Sequence, residues 1–196
     1  GTNGSIPMRP FFADASVRTH IFLSRHDIKD DLPRPAELLR GIQNPLIDFR
    51  INCNLIKGGV DSLEEIERYI GVKYNTYGIT HYCFRELSKV DTEANSIYPP
   101  EIYRYIDYYQ EHLVPVPSIE KQMIGNGKFR KSRTTGNYYD INQWYWYQHE
   151  GREISVKFRS IDETRLIEFN TQVRPDGVDE YVIHPDGTLT GCWDKD

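Results

Sequence analysis

Apolar and polar residues follow two different spacings along the chain. Three short runs are rich in the β-branched and aromatic residues that favour strands, and turns or polar loops bound them. These predicted strands lie at 17–24, 46–56 and 79–87. A helix is predicted after each strand, at 35–42, 61–78 and 99–113. In the second and third helices, apolar residues recur every three or four positions, which is typical of helices that bury one face.

The helix at 61–78 has the clearest local signals in the sequence. Asp61 or Ser62 can cap its first turn, and an acidic residue follows three positions later. Gly78 can adopt the left-handed conformation that often ends a helix. The sequence therefore predicts both ends of this helix as well as its buried face.

The order of the elements predicts a fold class. Strands that alternate with helices are usually parallel and joined by right-handed crossovers. Three parallel strands cannot close a barrel, so we predict an α/β fold with a partial (half) βα barrel of three parallel βα units over 17–113. At least one edge of such a sheet is left open. That edge needs the C-terminal region, a second copy of the chain, or a missing N-terminal half.

A second region, 114–196, is predicted to be β-rich. Two prolines within 113–118 disfavour the continuation of a helix or a strand. Further on, strands at 138–148 and 153–159 flank a glycine-containing turn, and Pro-Asp-Gly turns occur at 175–177 and 185–187. We therefore expect a small antiparallel sheet here, separate from the half barrel.

Composition narrows the class of protein. The 196 residues carry a net charge of −5, which argues against nucleic acid as a partner. No run of about 18 apolar residues exists, so we expect no membrane span. The first ten residues lack the apolar core of a secretory signal, and 1–16 are interpreted as a cloning remnant and lead-in. Cys53, Cys83 and Cys192 are too far apart for a disulfide framework, which favours reduced thiols and a cytoplasmic protein.

Polar residues gather at the predicted carboxyl ends of the three parallel strands. Ligands of α/β proteins bind at this end of the sheet, so these residues are candidates for a small-molecule site. They are Ser24 and Arg25 after the first strand, Asn52, Asn54, Lys57 and Gly58 in and after the second, and His81 and Arg85 in the third. Alternatively, Ser24 and Arg25 belong to a solvated loop, Asn52 and Asn54 form a structural amide pair, and Gly58 belongs to a plain tight turn.

The sequence contains no established catalytic motif. No phosphate-binding loop, dinucleotide fingerprint, nucleophile elbow or zinc-protease helix occurs, and the six histidines are not paired at metal-ligand spacings. We therefore assign no catalytic residue and no metal ligand. An alternative site is the basic and aromatic region 121–147, which could hold a peptide or a single-stranded nucleic acid. The region 121–147 could instead be a solvated loop beside a hairpin, without a binding role.

Three segments resemble the last three βα units of radical S-adenosylmethionine enzymes of the molybdenum-cofactor-cyclase-like group. They are THIFLSRHD, FRINCNLIKGGVDSLEEIERYI and THYCFREL, and the terminal EYVIHPDGTLTGCW resembles the tails of some members. The resemblance implies that 17–113 is part of a radical-SAM-like barrel. The family's CxxxCxxC segment, which holds a [4Fe-4S] cluster, does not occur in this sequence.

The resemblance also implies roles for the strand-end residues. It assigns Ser24, Arg25, Asn52, Asn54, Lys57 and Gly58 to S-adenosylmethionine, and His81 and Arg85 to the substrate. S-adenosylmethionine and a [4Fe-4S] cluster are expected in an intact parent enzyme, and neither is expected to be bound by this chain alone. The chain is then the inactive C-terminal portion of an enzyme. The competing hypothesis is a complete, non-catalytic binding module that acts through 121–147.

Overall fold

The computed structural model describes residues 19–24, 46–87, 100–162, 164–166, 168–169, 182–183 and 189–190. The strands are β1 (Thr19–Ser24), β2 (Ile47–Leu55), β3 (His81–Glu86), β4 (Phe129–Gly136), β5 (Asp140–His149), β6 (Arg152–Ile161), β7 (Val182–Ile183) and β8 (Leu189–Thr190). The helices are α1 (Leu63–Tyr77), α2 (Pro100–His112) and α3 (Val116–Met123). No helix within these ranges is both long and apolar enough to cross a membrane.

Six of the strands form one mixed sheet in the order β1-β2-β3-β6-β5-β4. The β1–β2, β2–β3 and β3–β6 pairings are parallel, and the β6–β5 and β5–β4 pairings are antiparallel. Strands β7 and β8 form a separate two-stranded sheet, in which Val182 pairs with Thr190. The long hairpins of the C-terminal region therefore extend the sheet that the first three strands begin.

The predicted fold class, a half βα barrel followed by a separate antiparallel region, is wrong. Strand β6 lies parallel to β3 along the edge that the prediction left open, with His81 opposite Ser155 and Arg85 opposite Arg159. The physical reason is the open edge of the half barrel. An unpaired strand edge exposes backbone N–H and C=O groups that need partners, and β6 supplies them. Of the three partners considered for that edge, the C-terminal region supplies the one observed.

Helix α1 follows its sequence signals closely. The Ser62 side chain accepts a hydrogen bond from the Glu65 backbone N–H at 3.3 Å, which caps the first turn. Gly78 has φ 69°, and its N–H donates to the Tyr74 carbonyl at 2.7 Å. Leu63, Ile66, Tyr69 and Ile70 are buried, so the helix covers one side of the sheet with the predicted face.

The main hydrophobic core lies between that side of the sheet and helices α1 and α3. Alternate residues of β2, β3 and β6 point into it, among them Cys53, Phe84 and Phe158. The Phe84 ring stacks on Phe158 with a centroid separation of 5.7 Å and meets Tyr69 edge-on at the same distance. The core thus spans both of the regions predicted from the sequence.

Two elements differ from the sequence prediction. Helix α3 begins inside the proline-containing segment predicted to be a linker, with Pro117 in its first turn. Proline is tolerated there because the first helical N–H groups have no partner within the helix. Strand β4 covers the basic segment predicted as a loop; its residues are almost all exposed, and β5 supplies its hydrogen bonds. The predicted helix at 35–42 and the turns at 175–177 and 185–187 lie outside the described residues.

A carboxylate joins α3 to the antiparallel strands. Glu120 accepts hydrogen bonds from Tyr145 Oη, from Gln143 Nε2 at 3.0 Å and from Lys131 Nζ at 3.2 Å. Burial alone would raise the pKa of Glu120, but these three donors outweigh it and lower the pKa below its ordinary value. The Glu120 network therefore favours the ionised carboxylate in the folded protein.

Replacing Glu120 by glutamine should destabilise the protein by about 1–3 kcal/mol at neutral pH, since one of the two acceptor oxygens becomes an NH2 donor that faces other donors and Lys131 loses its charged partner. A carboxylate with a lowered folded-state pKa stabilises the fold above its unfolded-state pKa, and this contribution is lost as the pH falls through the folded-state value. The difference between Glu120→Gln and wild type should therefore shrink in acid. Urea titrations at several pH values measure it, with Glu111→Gln on the exposed side of α2 as the control. A difference that does not vary with pH would contradict the assignment.

Candidate anion-binding site

The side of the sheet opposite the main core carries several charged and polar residues, with Cys83 and Trp144 among them. Residues paired in register point to the same side, so the pairings define rows across the strands. One row contains Asn54, Arg85, Arg159 and Asn142, and the neighbouring row contains Asn52, Cys83, Lys157 and Trp144. Arg50 lies two residues before Asn52 on the same side. We call the surface formed by Arg50, Arg85, Lys157 and Arg159 the basic face.

All four cations of the basic face are half-buried, and only one of them has an ion pair among the residues described. Arg159 binds Asp140 through two hydrogen bonds, Nη2 to Oδ2 at 2.9 Å and Nε to Oδ1 at 3.0 Å. In the ranges that the structure describes, Arg50, Arg85 and Lys157 form no ion pair with a carboxylate. Three positive charges therefore share one partly desolvated surface, and no carboxylate in those ranges is in ion-pair contact with any of them.

An aromatic ring lies among these charges. The Arg50 guanidinium and the Lys157 ammonium each lie 5.4 Å from the centroid of the Trp144 ring, and the Arg133 guanidinium lies 5.0 Å from it. Trp144 Nε1 donates to Thr135 Oγ1 at 3.1 Å, which fixes the orientation of the indole. Cation–π contacts stabilise these charges only partly, because an aromatic ring carries no net charge.

The neighbouring charges also affect two titratable groups of the basic face. Burial raises the pKa of the Cys83 thiol and outweighs the opposite effect of Lys157, Arg85, Arg50 and Arg159 around it. Burial lowers the pKa of the Lys157 ammonium, and Arg50 and Arg159 lower it further. Cys83 and Asp140 have the opposite effect and raise it. The sequence places these residues far apart, and the sheet brings them into mutual electrostatic contact.

The structure brings together some of the residues predicted for a site. Asn52, Asn54 and Arg85 lie on the basic face, with Asn54 directly opposite Arg85 in the parallel β2–β3 ladder. The backbone of Ser24 pairs with Asn52 at the carboxyl end of β1, and Arg25 lies outside the described residues. Three of the predicted site residues therefore share one side of the sheet, and whether they bind a ligand stays a prediction.

The other predicted site residues lie elsewhere or are engaged within the fold. His81 begins β3, at the end of the strand away from Arg85, and its Nδ1 lies 3.3 Å from Asp48 Oδ1. The Lys57 N–H donates to the His112 carbonyl at 3.0 Å, and the Gly58 N–H donates to Asp61 Oδ2 at 2.8 Å. This turn therefore uses its amide groups within the chain and does not present them to an anion.

Sequence reasoning missed four residues of the site: Arg50, Trp144, Lys157 and Arg159. The available signal was the period of two within strands, because Arg50, Asn52 and Asn54 alternate with buried Ile51, Cys53 and Leu55. Lys157 and Arg159 alternate in the same way with Val156 and Phe158. What the sequence could not show was that β6 lies next to β3.

The cofactors implied by the family resemblance fit the described residues poorly. Cys53 points into the main core and Cys83 lies on the basic face, so the two cysteines lie on opposite sides of the sheet and cannot ligate one cluster. S-adenosylmethionine carries a sulfonium and an ammonium against a single carboxylate. A surface with three unbalanced positive charges suits a ligand of the opposite net charge.

The region at 121–147 is less basic than its sequence suggests. Three of its cations form ion pairs with carboxylates, namely Lys128 with Glu67, Arg130 with Glu153 and Lys131 with Glu120. Phe129 stacks on Tyr147 with a centroid separation of 4.5 Å and packs against the core. These pairs reduce the positive potential that a nucleic-acid partner would require.

No protein-family model, no curated protein and no solved structure matches the chain. The resemblance to radical S-adenosylmethionine enzymes therefore stays a prediction from three sequence segments. A proposal for the function therefore depends on the geometry of the basic face.

Proposed function

We propose that this chain binds a small anionic molecule on the basic face of its sheet. The observation that carries the proposal is the unbalanced charge, since Arg50, Arg85 and Lys157 form no ion pair within the described residues and lie half-buried beside one another. Like charges in a partly desolvated site repel one another and cost stability. A bound anion removes that cost, so folding and anion binding are coupled.

The neighbouring groups suit an anion of moderate size. Arginine binds carboxylates and phosphates through paired hydrogen bonds, and the side-chain amides of Asn52 and Asn54 can donate to oxygen atoms next to them. Trp144 provides an aromatic surface within reach of two of the cations. The ligand class that fits is a phosphate- or carboxylate-bearing small molecule.

Adding inorganic phosphate should raise the melting temperature of the wild-type protein, because a ligand that binds only the folded state stabilises it. Arg85→Gln and Arg50→Gln should each weaken phosphate binding about 10- to 100-fold, as expected for loss of a charged hydrogen bond. Without phosphate, both variants should melt at or above the wild-type temperature because repulsion is relieved. Thermal scans and isothermal titration calorimetry measure both effects.

Arg68→Gln is the matched control. Arg68 is exposed on α1, on the other side of the sheet, and it pairs with Glu65 within the helix. Its removal changes the net charge equally but should leave phosphate binding unchanged. If Arg68→Gln weakens phosphate binding as much as Arg85→Gln does, the effect comes from overall charge and the basic face is not the site.

The role implied by the family resemblance, a share of an S-adenosylmethionine and substrate site, is the second candidate. Its support is the position of Asn54 opposite Arg85 at the carboxyl ends of β2 and β3, and the net positive charge of S-adenosylmethionine argues against it. Titration with S-adenosylmethionine under the same conditions separates the two candidates. Saturable binding that Asn54→Ala abolishes would support the second, whereas binding of phosphate alone would support the first.

A further inference from the structure

Lys157 is the one lysine of the basic face, and its surroundings differ from those of the other lysines of the antiparallel strands. It lies at the centre of a row, between Cys83 on β3 and Trp144 on β5. Within the described residues its ammonium has no hydrogen bond and no ion pair, and it lies over the Trp144 ring. Lys128 and Lys131, by contrast, are exposed and paired with carboxylates.

The charged groups around Lys157 are mostly positive. Arg50 from β2, Cys83 from β3, Asp140 from β5 and Arg159 from β6 interact with it electrostatically. Arg85 lies two residues beyond Cys83 on the same side of β3, and Arg133 from β4 contacts the Trp144 ring that Lys157 also contacts. The one carboxylate among them, Asp140, is already held by both hydrogen bonds from Arg159. Burial and the arginines disfavour the ammonium form, so the neutral amine is more populated here than at a surface lysine.

We infer that Lys157 captures a small anionic aldehyde or oxo acid as an imine, with the arginines of the basic face holding the carboxylate or phosphate of that molecule. This inference rests on the proposed function, since the arginines must bind the anion. It adds the substrate class, a carbonyl compound, and names the nucleophile. A neutral amine beside other cations is the arrangement that makes a lysine reactive toward carbonyls.

The chemical step needs no group beyond those named. The lone pair of Lys157 Nζ attacks the carbonyl carbon, and the carbonyl π electrons move to oxygen. One proton passes from nitrogen to that oxygen, which gives a neutral carbinolamine. Loss of hydroxide and of a second proton from nitrogen, together one water molecule, leaves the carbon–nitrogen double bond. No electron is gained or lost.

Reductive trapping tests this inference. The full chain is incubated at neutral pH with glyoxylate and sodium cyanoborohydride, which reduces an imine to a stable secondary amine, and the modified lysines are mapped by mass spectrometry. Adduct formation at Lys157 should be severalfold faster than at Lys128 or Lys131, because burial and the neighbouring arginines lower the pKa of Lys157 and so increase its share of neutral amine. The pH profile of labelling at Lys157 should have its midpoint below the ordinary pKa of a lysine.

Variants and a second probe separate this inference from the proposed function. Lys157→Arg keeps the positive charge and should bind glyoxylate without forming the adduct, while Lys131→Arg should leave labelling of Lys157 unchanged. Acetaldehyde lacks the carboxylate and should label Lys157 more slowly than glyoxylate does. Equal labelling by the two probes would overturn the anionic substrate class. Labelling that simply follows solvent exposure would overturn the inference, even if phosphate still stabilises the protein and the proposed function holds.

Discussion

Replacing Phe84 by alanine should lower the free energy of unfolding by about 3–5 kcal/mol, the usual cost of deleting a fully buried aromatic ring. Phe84 has no exposed surface and lies at the centre of the core, on the strand that joins the parallel and antiparallel halves of the sheet. Its ring contacts Phe158 on β6, Tyr69 on α1 and Tyr82 on its own strand. The cavity would therefore open among three elements, and no single neighbouring side chain could refill it.

Urea unfolding followed by tryptophan fluorescence measures this loss, and Ile124→Ala serves as the control. Ile124 is 83% exposed just after α3, so its truncation should change stability by less than about 0.5 kcal/mol. If Phe84→Ala lost no more stability than Ile124→Ala, β3 would not pack against β6 as described.

Replacing Gly136 by alanine should cost at least about 3 kcal/mol, because two penalties combine. Gly136 has φ 131°, a value that residues with a side chain rarely adopt. A β-carbon there would overlap the carbonyl oxygen of Asp140 and lie 3.0 Å from the Ile141 Cα atom, and backbone atoms cannot rotate away as side chains do. The turn between β4 and β5 would have to open, and the Trp144–Thr135 hydrogen bond spans this hairpin.

Gly127→Ala is the matched control for this glycine. Gly127 also has a positive φ, 72°, but a β-carbon there would meet no atom within 4 Å. Alanine at 127 should therefore cost only about 1 kcal/mol, from the backbone conformation alone. Thermal melts of both variants, read by circular dichroism, compare the two costs. Equal losses at the two positions would show that the close approach to Asp140 is absent.

Local features of the fold could be predicted from the sequence because they depend on neighbouring residues. The cap at Ser62, the left-handed Gly78 and the β5–β6 hairpin each follow from a few adjacent side chains. The long-range arrangement could not be predicted in this way. The pairing of β3 with β6 depends on burying Phe158 against Phe84, and no local pattern shows which strand fills a free edge.

The candidate site was predictable only in part for the same reason. The rule that ligands bind at the ends of parallel strands predicts Asn52, Asn54 and Arg85, because it needs only β2 and β3. Lys157 and Arg159 reach the site from an antiparallel hairpin, so that rule does not include them. The basic segment beginning at Lys121 attracted attention in the sequence, but most of its cations are paired in the structure.

The parallel pairing of β3 with β6 has a consequence for how the chain is made. Strand β6 comes last of the six along the sequence, yet it occupies the place beside β3 in the middle of the sheet. On the ribosome, β1, β2 and α1 can therefore emerge long before the strand that closes their edge. Contacts between such distant segments form slowly, because a long loop must close first. Until β6 is released, the edge of β3 lacks its partner and is open to misassociation.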